Sequence, residues 1–394
     1  AAKNKKGLAS VLLLPLAACG GGGGGGGGGD VVASALLAVF TGDIAGAKNI
    51  TVTAYTADFD ITLSDTGPVS ADDLTVVLDK TNGDVVFSGS VTGVAGTAAA
   101  VKTVLEDTTL TLPNNVNVSL TTAHTLAQLK AINIATTGVI SFDGAGSNTG
   151  SASVDLSGTV ADISAALDGV TNYTGAIVLN GAAAATIVEL KAINEATAGT
   201  ITLNAATIGA DYSGTAANLA AAFFGITTHT GGLTITGVAA TIAELVVINT
   251  ATAGGITLSA ATKAENYSDT AANLADAFFG ITGHTGVLTI TGGDPTVAQL
   301  NAISGASTGN VVASITGTAV ALAGLTTAGT DVITVTITGA AATITQLKGI
   351  NAATSGGITL SAATKAENYS DTAANLADAF FGITGHTGVL TITG

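Results

Sequence analysis

The sequence contains no tryptophan, no methionine and no arginine, and only 4% of its residues are aromatic. Its 11 basic residues are all lysines, against 27 acids, which gives a formal net charge of -16. Binding to nucleic acid needs clustered basic residues for the phosphates, and guanine recognition uses arginine in particular. The composition therefore excludes nucleic acid as a partner.

Charged residues make up only 10% of the chain, whereas glycine alone supplies 53 residues. A chain rich in small residues is expected to pack thin layers around little core volume. The G-x-S-x-G motif of serine hydrolases and the calcium-binding G-G-x-G-x-D nonapeptide are both absent. The sequence accordingly predicts no catalytic residue, no cofactor and no metal site, and the protein is not expected to be an enzyme.

The single cysteine, Cys19, excludes an intramolecular disulfide. It follows a positive segment with Lys3, Lys5 and Lys6 and an apolar segment, Gly7–Ala18. This order is typical of a secretion signal covering residues 1–19. The apolar segment is too short to span about 30 Å of hydrocarbon as a helix, and it contains a proline.

Leu16-Ala17-Ala18-Cys19 resembles the lipobox of bacterial lipoproteins. The resemblance implies cleavage before Cys19, lipidation of its sulfur and attachment to a membrane through the lipid. Because no Asp follows Cys19, the resemblance further implies an outer-membrane, cell-surface or secreted location. The competing interpretation is a buried helix with a chance cysteine. The glycine run 20–29 predicts a flexible linker.

Residues 30–124 are predicted to form a small β-rich domain. Ile50–Tyr55 and Phe59–Leu63 alternate apolar and polar residues, as half-buried strands do. Leu74–Leu78 and Val85–Phe87 flank Asn82-Gly83, which predicts a hairpin. A competing interpretation is an early copy of the downstream repeat, whose spacing is matched by Ser70, Leu74, Val77, Thr81, Gly83, Val85 and Phe87.

Residues 125–394 form tandem repeats with two alternating halves, called half-units below. The first half-unit reads T-[ILV]-x-[EQ]-L-x-x-I-N-x-A-T-x-G-x-I-x-[LF] and begins at Thr125, Thr186, Thr241, Thr296 and Thr343. Thr followed three residues later by Gln or Glu is the capping box of a helix start. The following glycine and Ile-x-Leu triplet predict a helix break and a strand.

The second half-unit begins at Ser157, Ser213, Ser268 and Ser370, with a shortened version near Thr316–Gly339. It also predicts a capped helix followed by a strand. A full unit has about 55 residues, and stacking of such units is needed to bury their apolar faces. The predicted fold is an α/β repeat: a solenoid of short helix–strand units with parallel strands. The Ala/Thr/Gly-rich units also resemble those of very large bacterial surface proteins.

Residues 254–292 and 356–394 are identical. A duplicated segment multiplies a surface or extends a length, which favours a structural or multivalent role. The printed chain stops at a unit boundary, Gly394. Two expectations follow: either the natural protein continues, or the open end docks another copy.

His229, His284 and His386 share one position in the motif T-x-H-T-G. A column of metal-binding histidines is one interpretation. Tyr173 holds the same position in an earlier unit, however, and no second type of ligand accompanies the histidines. We therefore expect histidines that stabilise a turn or lie on the surface.

The second half-units that begin at Ser213, Ser268 and Ser370 end their helix with a Phe-Phe pair, where the earlier unit has Leu167-Asp168. A position that accepts Asp is expected to be exposed, so Phe224, Phe279 and Phe381 are candidates for an interaction stripe. The alternative is partial burial under a neighbouring loop. Separately, Thr202, Thr257 and Thr359 are candidates for a flat threonine ladder that binds ice or polysaccharide.

These features predict an extracellular structural protein of the cell surface, lipid-anchored and self-assembling as a stalk, layer or filament subunit. The alternative is a repeat adhesin that binds carbohydrate or ice. The expected partners are a second copy of the chain and the membrane holding the anchor, with a polysaccharide as a further candidate.

Overall fold

The computed structural model describes residues 39–50, 59–142, 154–171 and 173–394. The predicted signal, Cys19 and the polyglycine linker lie outside these ranges, as do Thr51–Tyr55 of the first predicted strand. The chain divides into two compact units, which are described separately. The first comprises residues up to Gly181 with Ala196–Thr200, and the second comprises Ala182–Glu195 and Ile201–Gly394.

Short strands and helices alternate in the first unit. They are β1 (Phe40–Gly42), α1 (Ile44–Lys48), β2 (Ile61–Leu63), β3 (Gly67–Ser70), α2 (Ala71–Leu78), β4 (Val85–Phe87), β5 (Val91–Gly96), α3 (Ala98–Glu106), β6 (Asn117–Leu120), α4 (Leu126–Ala135), β7 (Ile140–Ser141), β8 (Leu156–Thr159), α5 (Val160–Leu167) and β9 (Ile177–Asn180).

The strands of the first unit form small parallel sheets. One has the order β1-β2-β4, another has the order β3-β5-β6-β7, and β8 pairs with β9. In the first sheet Ile61 lies opposite Val85, and in the second Val94 lies opposite Val118. All four side chains are buried, so the inward face of each sheet is apolar.

The hairpin predicted for residues 74–87 is wrong. Leu74–Leu78 belongs to helix α2, whose N-cap Ser70 accepts a hydrogen bond from the amide of Asp73. Val85–Phe87 is a strand as predicted, but it pairs in parallel with β2. The described part of residues 30–124 thus alternates helix and strand, and the competing repeat interpretation describes it better than a β-rich domain.

The second unit repeats the same alternation. Its elements are α6 (Ile187–Ala196), β10 (Ile201–Thr202), α7 (Ala205–Gly209), β11 (Tyr212–Thr215), α8 (Ala216–Phe223), β12 (Leu233–Thr236), α9 (Ile242–Ala251), β13 (Ile256–Thr257), α10 (Ala260–Ala264), β14 (Tyr267–Asp269), α11 (Ala271–Phe278), β15 (Leu288–Ile290), α12 (Val297–Ala306), β16 (Val311–Thr318), α13 (Ala319–Leu322), β17 (Val332–Thr338), α14 (Ile344–Ala352), β18 (Ile358–Thr359), α15 (Ala362–Ala366), β19 (Tyr369–Asp371), α16 (Ala373–Phe380) and β20 (Leu390–Ile392).

The sheets of the second unit have the orders β11-β12-β13, β14-β15-β16-β17-β18 and β19-β20. The short helices α7, α10 and α15 separate successive strands, whereas β16 runs unbroken over Val311–Thr318. The strands described in this unit pair in parallel, and none of their sheets closes on itself. The protein is an α/β repeat of short helix–strand units with several small parallel sheets.

The helix starts follow the predicted capping chemistry. Thr241 accepts a hydrogen bond from the amide of Glu244, and the Glu244 side chain accepts one from the amide of Thr241. The same reciprocal pair is present at Thr125, Thr186, Thr296 and Thr343. In the second half-unit, Thr215 caps α8 through the amide of Asn218, as expected.

A Thr/Ser-x-Gly corner follows each helix of the first half-unit, namely α4, α6, α9, α12 and α14. At this corner the backbones of neighbouring half-units come into contact. Thr252 Oγ1 accepts a hydrogen bond from the Gly254 amide and donates one to the Gly231 carbonyl, both at 2.8 Å. A Cβ at Gly254 would lie 2.2 Å from that carbonyl oxygen. Equivalent glycines with the same close approach are Gly138, Gly199, Gly309 and Gly356. Glycine is required here because backbone passes so near.

The identical segments 254–292 and 356–394 show what a following half-unit contributes. Leu288 of the first copy is 0% exposed, and its strand β15 pairs with β16. The equivalent Leu390 of the second copy is 44% exposed. The same sequence therefore owes its burial to the neighbour that covers it, as expected for a repeat whose units are too small to fold alone.

Candidate functional site

The second member of each Phe-Phe pair is more exposed than the first, which is buried in two pairs and half-buried at Phe380. Phe223 and Phe278 are buried in the core. The following residues, Phe224, Phe279 and Phe381, are 67%, 76% and 80% exposed. Their exposure is what the comparison with Leu167-Asp168 predicts, and burial under a neighbouring loop is excluded for these three rings.

An asparagine from the helix of the preceding first half-unit fixes the backbone at each exposed phenylalanine. Asn194 Nδ2 donates hydrogen bonds to the carbonyl oxygens of Ala222 and Phe224, at 3.1 and 2.8 Å. These carbonyls lie at the C-terminal end of α8, where no intrahelical donor remains. The same contact joins Asn249 to Phe279 and Asn351 to Phe381. The exposed rings therefore stand on anchored backbone.

This role of asparagine was not predicted from the sequence. The signal was present, because α4, α6, α9 and α14 each carry the dipeptide Ile-Asn. In α12, Ser304 takes the asparagine position and Asn301 lies one turn earlier. Asn301 likewise donates to the carbonyl of Gly324, at the end of α13. The partner lies more than twenty residues away, so a short motif could not reveal it.

His229 and His284 are buried in clusters with a tyrosine and the first phenylalanine of the pair. The His229 ring centroid is 4.7 Å from that of Phe223 and 5.5 Å from that of Tyr212. Equivalent clusters join His284 with Tyr267 and Phe278, and His386 with Tyr369 and Phe380. The histidine column is therefore part of the packed interior at its first two members, and His386 is partly exposed.

Each of these histidines ties its half-unit to the preceding one. His229 Nε2 lies 2.9 Å from the carbonyl oxygen of Ala210. A carbonyl only accepts, so Nε2 carries the proton of the neutral ring. Tyr173 makes the equivalent contact by donating from its hydroxyl to the carbonyl of Val154. Tyrosine and histidine can therefore occupy the same repeat position, because each donates a hydrogen bond to the equivalent backbone carbonyl of the preceding half-unit.

Burial lowers the pKa of His229 and of His284 below that of an ordinary imidazole, because desolvation penalises the charged ring. The hydrogen bonds to the Ala210 and Glu265 carbonyls oppose this change without reversing it. Burial also raises the pKa of Tyr267 to about 12. These rings are neutral at pH 7.

Within the described residues, no group of three His, Cys, Asp or Glu side chains is arranged to hold a metal ion. Among the helices of those same ranges, none is both long and apolar enough to cross a bilayer.

The predicted threonine ladder is not one ladder. Thr202, Thr257 and Thr359 are all exposed, but Thr257 lies in the β11-β12-β13 sheet and Thr359 in the β14–β18 sheet, while Thr202 belongs to neither. A denser set of hydroxyls covers the outer face of the β14–β18 sheet. Residues in register on adjacent strands are Ser314 with Thr334, Thr316 with Thr336 and Thr359, and Thr318 with Thr338.

Two concave surfaces adjoin the exposed phenylalanines. The α8–α9 groove, of about 400 Å³, is lined by Asn194, Glu195, Ala220, Ala221, Phe224, Ala243, Glu244 and Val247. A second cavity, of about 570 Å³, is lined by residues that include Lys348, Asn351, Asp378 and Phe381. The first is lined mainly by apolar side chains, whereas the second carries an ion pair, Lys348 Nζ to Asp378 Oδ2 at 3.2 Å.

No known protein family matches this chain, and comparison with curated proteins and with solved structures gives no match either. Function therefore has to be inferred from the geometry of the repeat itself.

Proposed function

We propose that this protein is a structural component of the cell surface whose repeats form a solenoid that self-associates as a stalk, layer or filament subunit. Cys19 anchors it through lipid, with the glycine run 20–29 as the linker, and its role is mechanical and not catalytic. The observation that carries the proposal is the set of exposed rings at one repeat position, Phe224, Phe279 and Phe381.

The histidines and asparagines that recur in the repeat could have served as ligand-binding groups, but they form hydrogen bonds within the fold. The buried histidines and the Asn194, Asn249 and Asn351 amides bond to backbone carbonyls of adjacent half-units. Within the described residues, the rings of the exposed phenylalanines take no part in the aromatic clusters of the interior. Repeated exposed apolar side chains are typical of protein–protein contact surfaces.

Self-association is tested by the double variant Phe279→Asp, Phe381→Asp of the full chain. We expect it to sediment as a smaller species than the unchanged protein, because the carboxylates remove apolar contact area and repel each other. The matched control is Val188→Asp with Val238→Asp, at valines that are 77% and 79% exposed elsewhere. Unchanged sedimentation of the phenylalanine variant would contradict the proposal.

The anchor is tested separately by mass spectrometry of the protein recovered from its native membrane. A mature chain that begins at Cys19 with added acyl mass supports anchoring, whereas an unmodified Cys19 behind an uncleaved signal contradicts it. This test does not depend on the assembly state.

A second candidate function is binding of a polysaccharide or ice by the outer face of the β14–β18 sheet. The outward hydroxyls of β16, β17 and β18 repeat at strand spacings of about 4.8 Å across the sheet and about 6.6 Å along it. Such an array suits a ligand that is itself periodic. Retention of dispersed monomers on insoluble polysaccharide or on ice, lost on Thr336→Lys, would favour this function over self-assembly.

A further inference from the structure

We propose that the α8–α9 groove of one chain receives the Phe381 ring of a second copy. This inference rests on the proposed self-association and names the two surfaces that meet.

Ala221 distinguishes the groove from the corresponding surfaces of the later copies. Ala221 is half-buried at its wall, whereas the equivalent positions in α11 and α16 are the exposed carboxylates Asp276 and Asp378. Ala220, Ala243, Val247 and Phe224 supply the other apolar side chains of the lining. Among the copies with a Phe-Phe pair, only α8 has an uncharged residue at this position, so a ring entering beside Ala221 does not meet the carboxylate that α11 and α16 carry there.

Phe381 is suited to fill a complementary surface. Its ring is 80% exposed, the largest exposed fraction of the three, and its carbonyl is held by Asn351 Nδ2 at 3.0 Å. The residue lies at the end of α16 on backbone tied to α14. A ring on anchored backbone loses little conformational freedom when it is buried, which favours association.

Charge distinguishes Phe381 from Phe279. The rim of the groove carries Glu195, whose carboxylate lies 3.9 Å from Lys191 Nζ, and Glu244. Beside Phe381, Asp378 is compensated by Lys348 at 3.2 Å. Beside Phe279, the position equivalent to that lysine is Val246, so Asp276 has no lysine on the neighbouring helix. Bringing Asp276 to an acidic rim is disfavoured by repulsion between like charges.

The two surfaces are different patches of the same chain, so the contact is heterologous. A heterologous contact whose rotation does not close gives an open series of copies instead of a closed dimer. Repetition of the contact between the groove and the Phe381 ring would therefore build a filament with a single type of interface.

The variant Ala221→Asp tests the groove. It installs the side chain that the same helix position carries in α11 and α16, so the fold is expected to tolerate it. In a concentration series of the full chain by sedimentation velocity, we expect Ala221→Asp and Phe381→Asp each to weaken association by about 30-fold or more, as loss of an interface hot spot does. Phe279→Asp should have a smaller effect, and Val238→Asp serves as the control.

A mixing experiment tests whether groove and ring meet each other. The Ala221→Asp chain keeps a usable ring and the Phe381→Asp chain keeps a usable groove. An equimolar mixture should form a heterodimer that cannot extend, although each variant alone stays monomeric. Circular dichroism and unfolding midpoints of each variant establish that both are folded.

The outcomes separate this inference from the broader proposal. If Ala221→Asp assembles like the unchanged protein, or if the mixture stays monomeric, the groove is not the partner of Phe381. If in either case the Phe279→Asp, Phe381→Asp double variant is still dispersed, self-association through the exposed rings stands and only the groove is rejected. If the double variant also assembles normally, both proposals fail.

Discussion

Single residues constrain this repeat most tightly where the backbones of two half-units pass each other. The sequence predicts that Gly254 and its equivalents end a helix, and they do follow the helix end. Their physical requirement is different, because the carbonyl of Gly231 leaves no room for a Cβ. The neighbouring Gly255 has open space around the same position. Two consecutive glycines therefore have unequal roles that the sequence does not distinguish.

Gly254→Ala should lower the free energy of unfolding by about 1–3 kcal/mol, the cost of overpacking against backbone that cannot move aside. Gly255→Ala is the matched control and should be neutral or stabilising by up to about 1 kcal/mol, because alanine restricts the unfolded chain. Urea denaturation followed by circular dichroism measures both. Equal effects of the two substitutions would show that the close approach is unimportant.

The buried histidines should make stability depend on pH. Since the pKa of His229 and His284 is lowered in the folded chain, the unfolded chain binds more protons below its own imidazole pKa of about 6.5. Their stabilising contribution is complete above that pH and is lost as pH falls through the lowered folded-state pKa. The urea midpoint should therefore decrease between about pH 8 and about pH 5.5.

The control for this pH effect is the double variant His229→Tyr, His284→Tyr, because Tyr173 occupies the same repeat position and makes the same carbonyl contact. Its urea midpoint should change less over the same pH range. An equal decrease in both proteins would assign the effect to the carboxylates instead.

At the level of helices and strands, most of residues 125–394 follows from the sequence, and the lead-in does not. Capping boxes and apolar spacing locate the helices because those signals are local. The hairpin error at residues 74–87 arose because β-branched residues in α2 favour a strand only weakly, and packing overrides that preference. Asn82-Gly83 was interpreted as a turn, yet Thr81-x-Gly83 is another Thr-x-Gly corner, with the Gly83 amide bonded to Thr81 Oγ1 at 2.8 Å.

The candidate site could also be predicted only in part from the sequence. Exposure of Phe224, Phe279 and Phe381 could be inferred from one aspartate at the equivalent position of an earlier unit. The α8–α9 groove could not be inferred, because it depends on which helices become neighbours. The asparagine contacts to the helix ends were missed for the same reason.

For the molecule as a whole, the duplicated segment offers a direct measure of how much stability one half-unit gives another. Leu288→Ala should cost about 2–5 kcal/mol, as expected for a fully buried leucine. Leu390→Ala changes the same residue in an identical sequence, but at a side chain that is 44% exposed, and should cost clearly less. Chemical denaturation of the full chain, with hydrogen exchange to locate the loss, compares them. Equal costs would mean that coverage by a neighbour does not set local stability.

The identity of residues 254–292 and 356–394 also bears on the kinetics of folding. While the chain folds, α9 and α14 each meet two indistinguishable copies of the same helix, α11 and α16. The Lys348–Asp378 ion pair does not identify the correct partner of α14, because α11 carries Asp276 at the position of Asp378. Exposed pairs of this kind also contribute only about 0–1 kcal/mol. We therefore expect misregistered intermediates, and at high concentration exchange of this segment between chains, so that folding yield should fall with protein concentration even where the native state is stable.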